Sequence, residues 1–235
     1  MEGTWITLQV LAIAFALGAF LSLGIGVARL SDRRWIRGAA LVYVEISRGI
    51  SSIVLLFWMA FALPILFGFE QPSLLLMGSL ALGLNMGGYG AEIVRGAILS
   101  VPKGQHEASV ALNLTEGQRV RYVVLPQAMP IILPPMGNLT IEILKGTALV
   151  SLIGLSDLTF EISKLRVNRT ISDNPVSVPW LLVNGLIIYF VLAQIVNLAF
   201  RLGERRVNAR YEQRTGRAAT EVPRLDPQAS GAGNA

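Results

Sequence analysis

The sequence predicts an all-α, polytopic membrane protein with about five transmembrane helices. Of its 235 residues, 53% are hydrophobic and only 15% are charged, and the mean hydropathy is +0.56. Soluble domains carry about 25% charged residues. Several apolar runs also reach the roughly 20 residues that a helix needs to cross a bilayer. Composition and run length together indicate a bundle of membrane helices rather than a soluble domain.

Apolar runs predict the spans in chain order: 6–28, 45–66, 74–99, 126–155 and 180–200. Residues 35–43 are predicted to run along the interface before the second span. Four early prolines predict irregular first turns in the fourth span: Pro126, Pro130, Pro134 and Pro135. The polar segment 156–179 is predicted to be an outer loop. The membrane domain therefore covers 6–205, between an outer amino terminus at 1–5 and a basic, disordered cytoplasmic tail at 206–235.

Positive charge predicts the orientation of the chain, because loops rich in Lys and Arg stay in the cytoplasm. Fourteen of the 20 Lys and Arg residues follow the first, third and fifth predicted spans, and three lie in 156–179. The amino terminus is therefore expected outside and the carboxyl terminus inside. This distribution also explains the isoelectric point near 10 without a nucleic-acid partner.

Small residues indicate where the predicted helices contact one another. The first span contains Gly18, Gly24 and Gly26, and the third contains Gly83 and Gly87 at a spacing of four. Small residues allow membrane helices to approach closely. We therefore expect these glycines to serve packing rather than to form a hinge.

Missing residue types restrict the chemistry of the chain. There is no cysteine, so disulfides and thiolate metal ligands are excluded. His106 is the one histidine, which makes a histidine-based metal site or catalytic triad implausible. The chain has no Gly-x-x-x-x-Gly-Lys-Ser/Thr run that would bind ATP as a P-loop. We therefore predict no catalytic residue, metal site or cofactor on this chain.

Residues 104–126 form a polar stretch between two long apolar runs. Four of its residues fall at the spacing of one helix: Glu107, Ala108, Ala111 and Leu112. Thr115 followed by Gln118 is the pattern of a capping box. The stretch is therefore predicted to form two short helices joined at 113–116. The residues alone allow either a docking element or an amphipathic loop on the membrane surface.

Three acidic residues in the predicted spans are each followed three positions later by a basic residue, which is a neighbour on a helix. The pairs are Glu45/Arg48, Glu92/Arg95 and Glu142/Lys145. Pairing lowers the cost of a charge inside a membrane. Each pair either neutralises itself or lines a polar path.

The pair nearest the middle of its span, Glu142 and Lys145, is the one for which we favour the path. A zwitterionic solute carries both charges, so paired side chains could exchange partners with it. Asn138 lies one turn before Glu142, and Thr147 continues the polar positions. The sequence thus predicts a translocation path for a small zwitterion.

The polar stretch resembles a known signature. It reads Gly-Gln-x-Glu-Ala-x-x-Ala-Leu from Gly104, followed by Gln118 and by Leu-Pro-Gln-Ala at 125–128. This pattern is similar to the EAA loop of ABC-importer permeases, and most similar to the polar amino-acid (histidine, glutamate and glutamine) type. The resemblance extends over residues 40–160.

The resemblance implies a type I ABC-importer permease fold and a transport subunit without enzymatic activity, in a bacterial inner membrane. The implied partners are a separate ATPase that binds ATP and Mg²⁺, an identical or homologous second permease, an extracytoplasmic solute-binding protein and membrane lipid. The implied ATPase-coupling residues are Gly104, Glu107, Ala108, Ala111, Leu112, Gln118, Leu125 and Pro126.

Two positions depart from the resembling family. Gly146 stands where many relatives carry a small polar or acidic residue, and Asn113 stands where the loop usually has glycine. Asparagine still tolerates the left-handed backbone conformation, so we expect the hairpin to form. A weaker similarity to ectoine and hydroxyectoine permeases leaves the cargo open between a polar amino acid and an ectoine-like solute. An ion-coupled transporter or channel with a regulatory loop, and a scaffold without transport, are the alternatives.

Overall fold

The computed structural model describes residues 2–68, 70, 72–171 and 177–215, and every regular element in these ranges is helical. Four long helices form the bundle: α1 (Glu2–Ala28), α5 (Leu74–Leu99), α8 (Leu125–Gly146) and α10 (Ser177–Thr215). Six shorter helices connect them: α2 (Arg34–Gly49), α3 (Ser52–Phe57), α4 (Leu63–Phe67), α6 (Lys103–Ala111), α7 (Glu116–Arg119) and α9 (Leu158–Ile171). We call the end of the bundle that carries α6 and α7 the loop end, and the end that carries α9 the opposite end.

The described part of the chain contains four helical segments long and apolar enough to cross a membrane, or five if the bent pair formed by α2 and α3–α4 counts as one span. The predicted number of about five spans is therefore reached only if this bent pair is counted as one span. The α5 helix is the most enclosed of the four segments, and it contacts α1, α2, α3 and α8. The bundle is therefore organised around α5.

Glycines allow close packing between residues 14–26 of α1 and 83–94 of α5, as predicted for all of the named glycines except Gly24. A Cβ atom placed on Gly18 would lie 2.8 Å from Met86, and one on Gly26 would lie 2.7 Å from Val94. Both pairs are 68 positions apart, so the two helices run parallel. Gly24 is different, because its surroundings are open to beyond 4 Å.

The second predicted span begins later than the sequence indicated. The α2 helix continues to Gly49, and the next helix leaves it at an angle of 101°. The spanning part is therefore Ser52–Phe67, and the predicted start at residue 45 was wrong. The reason lies in contacts between distant residues: Tyr43 Oη donates to the Leu84 carbonyl at 2.8 Å, and Asn85 Nδ2 donates to the Ser47 carbonyl at 3.0 Å. These bonds extend the interfacial helix by two turns.

Prolines disturb the helices just before their own positions. A π-helical turn, Trp58–Ala62, precedes Pro64, and another, Val120–Val124, precedes Pro126. A proline ring clashes with the carbonyl four residues earlier, and a wider turn relieves that clash. The predicted irregularity is therefore present before Pro126. The other three prolines lie within regular α8, so the prediction was wrong for them.

Two segments predicted without secondary structure contain helix. The predicted outer loop contains α9, which a buried aspartate caps at its start. The α10 helix passes residue 206, where we placed a disordered tail, and continues through Thr215. The helix α10 packs on α8, and it continues without a break into its charged turns. Residues 216–235 of the predicted tail lie outside the described residues.

Candidate functional site

The polar stretch folds into the predicted pair of short helices at the loop end. Thr115 and Gln118 form a reciprocal capping box: the Thr115 N–H donates to Gln118 Oε1 at 2.9 Å, and the Gln118 N–H donates to Thr115 Oγ1 at 3.4 Å. Asn113 has a φ of 54° and makes the left-handed turn between α6 and α7. The capping and turn residues therefore act as the sequence predicted.

Side chains hold α6 against the start of α8. Arg119 Nη1 lies 2.8 Å from His106 Nε2, which must accept because a guanidinium can only donate. Gln127 Nε2 donates to Gln105 Oε1 at 3.2 Å, and also to the Val123 carbonyl at 3.0 Å. Ser109 is the buried residue of α6 and marks the inner face of this helix. These contacts make a mechanical connection from α6 into the long helix α8.

The outward face of α6 carries most of the predicted coupling residues. At 100° per residue, four of them project away from buried Ser109: Gly104, Glu107, Ala108 and Ala111. Leu112 follows with 74% of its surface exposed. Glu107 makes no ion pair or side-chain hydrogen bond within the described ranges. The helix thus presents small apolar groups around a single uncompensated carboxylate.

The remaining three predicted coupling residues lie behind this face. Gln118 is used in the capping box, and Leu125 and Pro126 are half-buried where α8 begins. The structure therefore separates the eight residues into an exposed group on and just after α6 and a second group in α7 and at the start of α8. Helical periodicity predicted the first group, and the capping-box pattern predicted the place of Gln118, whereas the half-buried positions of Leu125 and Pro126 are seen only in the structure.

A polar stripe lies on the open side of α8. Asn138, Glu142 and Lys145 are all exposed, and no ion pair joins Glu142 to Lys145 in the part of the chain that is described. Charged residues inside a membrane almost always face a protein interior or a wet cavity. The open side of α8 is therefore unsuited to contact with lipid chains.

Thr147 does not belong to this stripe. Nine residues after Asn138, it lies on the opposite face of the helix, where it is fully buried. Its hydroxyl donates to the Leu144 carbonyl at 2.7 Å and also hydrogen-bonds with Tyr189. The predicted path residues Asn138, Glu142 and Lys145 are brought together, and Thr147 is separated from them.

Glu92 joins two helices at the loop end. Its carboxylate contacts Arg95 Nη2 at 2.8 Å within α5, and it contacts Arg29 Nη2 at 3.0 Å after the end of α1. The predicted pair Glu92/Arg95 is therefore present, and Arg29 is a partner that sequence spacing did not reveal. This geometry favours the interpretation in which the pair neutralises itself rather than lines a polar path, because the carboxylate is already shared between two arginines.

Glu45 and Arg48 lie on α2 rather than in a span, and no ion pair between them is present among the described residues. The Arg48 guanidinium instead lies 5.5 Å from the centre of the Tyr89 ring on α5. An arginine above an aromatic face is held by a cation–π contact. The predicted pair therefore does not form as spacing indicated, because α5 supplies a competing partner.

A buried carboxyl that the sequence reasoning missed lies at the opposite end. Asp157 is fully buried and accepts hydrogen bonds from the Phe160 N–H at 2.9 Å, the Thr159 N–H at 3.1 Å and Tyr189 Oη at 3.4 Å. Burial raises the pKa of Asp157, and these hydrogen bonds only partly oppose that rise. An Asp directly before an apolar helix was the available signal, since aspartate is a preferred N-cap.

These features define a class of protein. A helical membrane bundle with a projecting polar helix at one end and a charged stripe along one spanning helix is the architecture of a transport subunit. Residues 5–209 match the family described as "Binding-protein-dependent transport system inner membrane component". The chain belongs to this family, and it is an ABC-importer permease subunit rather than an enzyme.

Similar proteins agree with this assignment. The chain is 42% identical over 210 residues to "Probable amino-acid ABC transporter permease protein y4tF" of Sinorhizobium fredii (strain NBRC 101917 / NGR234), covering 88% of this chain and 86% of that protein. It is 37% identical over 159 residues to "Glutamine transport system permease protein GlnP" of Escherichia coli (strain K12), covering 68% and 73%. The solved structure "Crystal structure of an amino acid ABC transporter with histidines" matches with a TM-score of 0.73 and 33% identity, covering 87% of this chain and 92% of that one.

Proposed function

We propose that this permease moves a polar amino acid or a similar small zwitterion into the cytoplasm, driven by a separate ATPase subunit that binds α6. The exposed outward face of α6 is the observation that carries the proposal. A short helix with apolar contacts and one charged anchor suits a groove on a partner. Ala108, Ala111 and Leu112 would supply the apolar contacts, and Glu107 would pair with a basic group of the ATPase.

Movement would pass from α6 into the membrane through the capped hairpin. The His106–Arg119 and Gln105–Gln127 contacts join α6 to α7 and α8. A displacement of α6 by ATP-driven closure would therefore tilt α8, which carries the polar stripe. This link supports alternating access, in which the path opens first to one side of the membrane and then to the other.

The stripe on α8 would line the path together with a second permease subunit, identical or homologous. Glu142 and Lys145 are exposed in the single chain, although both lie within a spanning helix. A facing subunit would enclose them and replace lipid with a polar cleft. A zwitterion entering that cleft would offer its carboxylate to Lys145 and its cationic nitrogen to Glu142.

The orientation follows from charge. The loop end would lie in the cytoplasm, where the Lys- and Arg-rich segments are retained, and the opposite end with α9 would face an extracytoplasmic solute-binding protein. Amino acids are favoured over ectoine-like solutes as the cargo, because the names of the similar proteins refer to amino acids. The paired charges of α8 accommodate either zwitterion.

The test of coupling uses the permease expressed with its ATPase and binding protein. Glu107→Ala should reduce ATP-dependent uptake at least tenfold and weaken ATPase co-purification, because it removes the anchor on α6. Glu212→Ala is the matched control, since it removes an exposed carboxylate that belongs to α10 and not to α6. Full uptake and normal ATPase binding by Glu107→Ala would refute the docking role.

The path is tested separately. Lys145→Ala should lower uptake by roughly tenfold, a loss of one charged contact worth about 1.4 kcal/mol, while ATPase co-purification stays normal. Leu186→Ala, on the exposed apolar surface of α10, is the control. Uptake that follows an ion gradient and ignores ATP would instead support the ion-coupled alternative.

A further inference from the structure

The α2 helix has three distinct faces. Ala40, Val44 and Ser47 are buried, and they face α5. A second face carries exposed apolar side chains: Trp35, Val42 and Ile46. Between these two faces, at 100° per residue, a third face carries charged side chains: Arg34, Arg37, Glu45 and Arg48. The packing against α5 accounts for only the first face.

Both ends of α2 lie at a similar depth along α5. Arg29, five residues before α2, binds Glu92, and Arg48, in the last turn of α2, lies against Tyr89. Glu92 and Tyr89 are three residues apart, about 4.5 Å along the helix axis. The following span also leaves α2 at 101°. The helix α2 therefore runs along the plane of the membrane rather than across it.

Three arginines are crowded at the start of this helix. The side chains of Arg33 and Arg34 are exposed and make no hydrogen bond or ion pair with another described residue, and the Arg37 side chain donates only to the Ser31 carbonyl at 3.5 Å. Asp32 is the nearest carboxylate in sequence and pairs with none of them within the described ranges. Positive charge at a helix amino terminus opposes the helix dipole. The protein itself therefore supplies little compensation for these charges.

We propose that α2 is a binding site for anionic phospholipid headgroups. The apolar face would insert at the boundary between headgroups and acyl chains, and Arg33, Arg34 and Arg37 would bind the phosphates. A planar amphipathic helix with basic and tryptophan side chains has this physical preference. Anionic lipid would also neutralise the charge that the helix dipole disfavours. The inference depends neither on the cargo nor on the ATPase.

The test uses the purified full-length chain in nanodiscs of phosphatidylcholine, with or without phosphatidylglycerol. The melting temperature should rise with phosphatidylglycerol content, and the rise should disappear at high salt because surface charges are screened. The triple variant Arg33→Gln/Arg34→Gln/Arg37→Gln should lose about half or more of this increase, since juxtamembrane arginines each strengthen attraction to anionic lipid. The matched control is Arg205→Gln/Arg206→Gln/Arg210→Gln, which removes three exposed arginines from α10.

A lipid effect that both triple variants lose equally would overturn the proposal, because net charge rather than α2 would then attract the lipid. If phosphatidylglycerol did not change the melting temperature of the unmodified chain, the proposal would also be overturned, and a protein partner would be the remaining occupant for the exposed faces of α2.

A second measurement does not depend on stability. In the variant Trp5→Phe/Trp58→Phe/Trp180→Phe, which keeps Trp35 as its one tryptophan, bromine on shallow acyl carbons should quench the Trp35 fluorescence. Quenching by aqueous acrylamide alone would contradict the inserted position.

Discussion

The close packing of α1 against α5 predicts opposite effects for two glycines of α1. A Cβ atom on Gly26 would lie 2.7 Å from Val94 Cβ and 2.9 Å from the Ala91 carbonyl oxygen, whereas one on Gly24 would meet nothing within 4 Å. Ordinary contact begins at 3.4 Å, so α1 would have to move about 0.7 Å away from α5 in Gly26→Ala. Part of this strain is with backbone, which has little freedom to yield.

The magnitude follows from two effects. Alanine is favoured over glycine within a helix by roughly 0.5–1 kcal/mol, and this gain applies to both substitutions. Overpacking a tight contact costs about 1–3 kcal/mol, and this cost applies only to Gly26→Ala. The two variants should therefore differ by about 1–3 kcal/mol, with Gly24→Ala the more stable.

Thermal unfolding of the purified variants in the same nanodiscs measures this difference. For a chain of this size the melting temperature of Gly26→Ala should lie roughly 2–12 °C below that of Gly24→Ala. Equal melting temperatures would refute the reasoning, because they would show that α1 and α5 separate without cost. A lower melting temperature for Gly24→Ala would refute the assignment of faces on α1.

Substitutions at three further residues test other contacts. Glu92→Gln should lower the free energy of unfolding by about 1–3 kcal/mol, because two arginines lose their shared carboxylate; unchanged denaturant unfolding would show that this junction is unimportant. Asn113→Gly should preserve ATPase co-purification, whereas Asn113→Val should weaken it, since a β-branched residue is strained at a φ of 54°; equal binding by both would contradict a required left-handed turn. For Asp157, whose pKa is raised by burial, the folded protein binds the proton more tightly than the unfolded chain. The contribution of Asp157 to stability should therefore be fully present below the ordinary aspartate pKa of about 3.9 and be lost as pH rises through the raised pKa, and this contribution should vanish in Asp157→Asn.

Local patterns predicted the loop end well. The capping box of Thr115 and Gln118 and the turn at Asn113 depend on neighbours within a few residues, so their sequence pattern is sufficient to identify them. Helical spacing likewise placed Glu107 and Ala111 on one side of α6. The roles proposed for these residues in binding an ATPase stay predictions.

Contacts between distant residues explain the differences. Glu92/Arg95 formed as spacing predicted, but Arg29 joined the pair because α1 and α5 run parallel at close range. Arg48 instead lies against Tyr89, which belongs to another helix. Thr147 follows the polar positions in sequence, but lies on the far face of the helix and binds Tyr189. A spacing of three residues identifies possible partners and cannot rank them against partners from elsewhere.

The sequence by itself determined the class of this protein. In a membrane, the backbone N–H and C=O groups of a long apolar run must be hydrogen-bonded within the protein, and only helices or closed barrels achieve this. The EAA-type stretch placed the chain among ABC-importer permeases. The tertiary structure alone decided that α2 continues to Gly49, that Glu92 joins α1 to α5, and that Asn138, Glu142 and Lys145 share an open surface. The physical reason is that hydropathy and periodicity act within one helix, whereas depth, crossing angle and exposure arise from the packing of several.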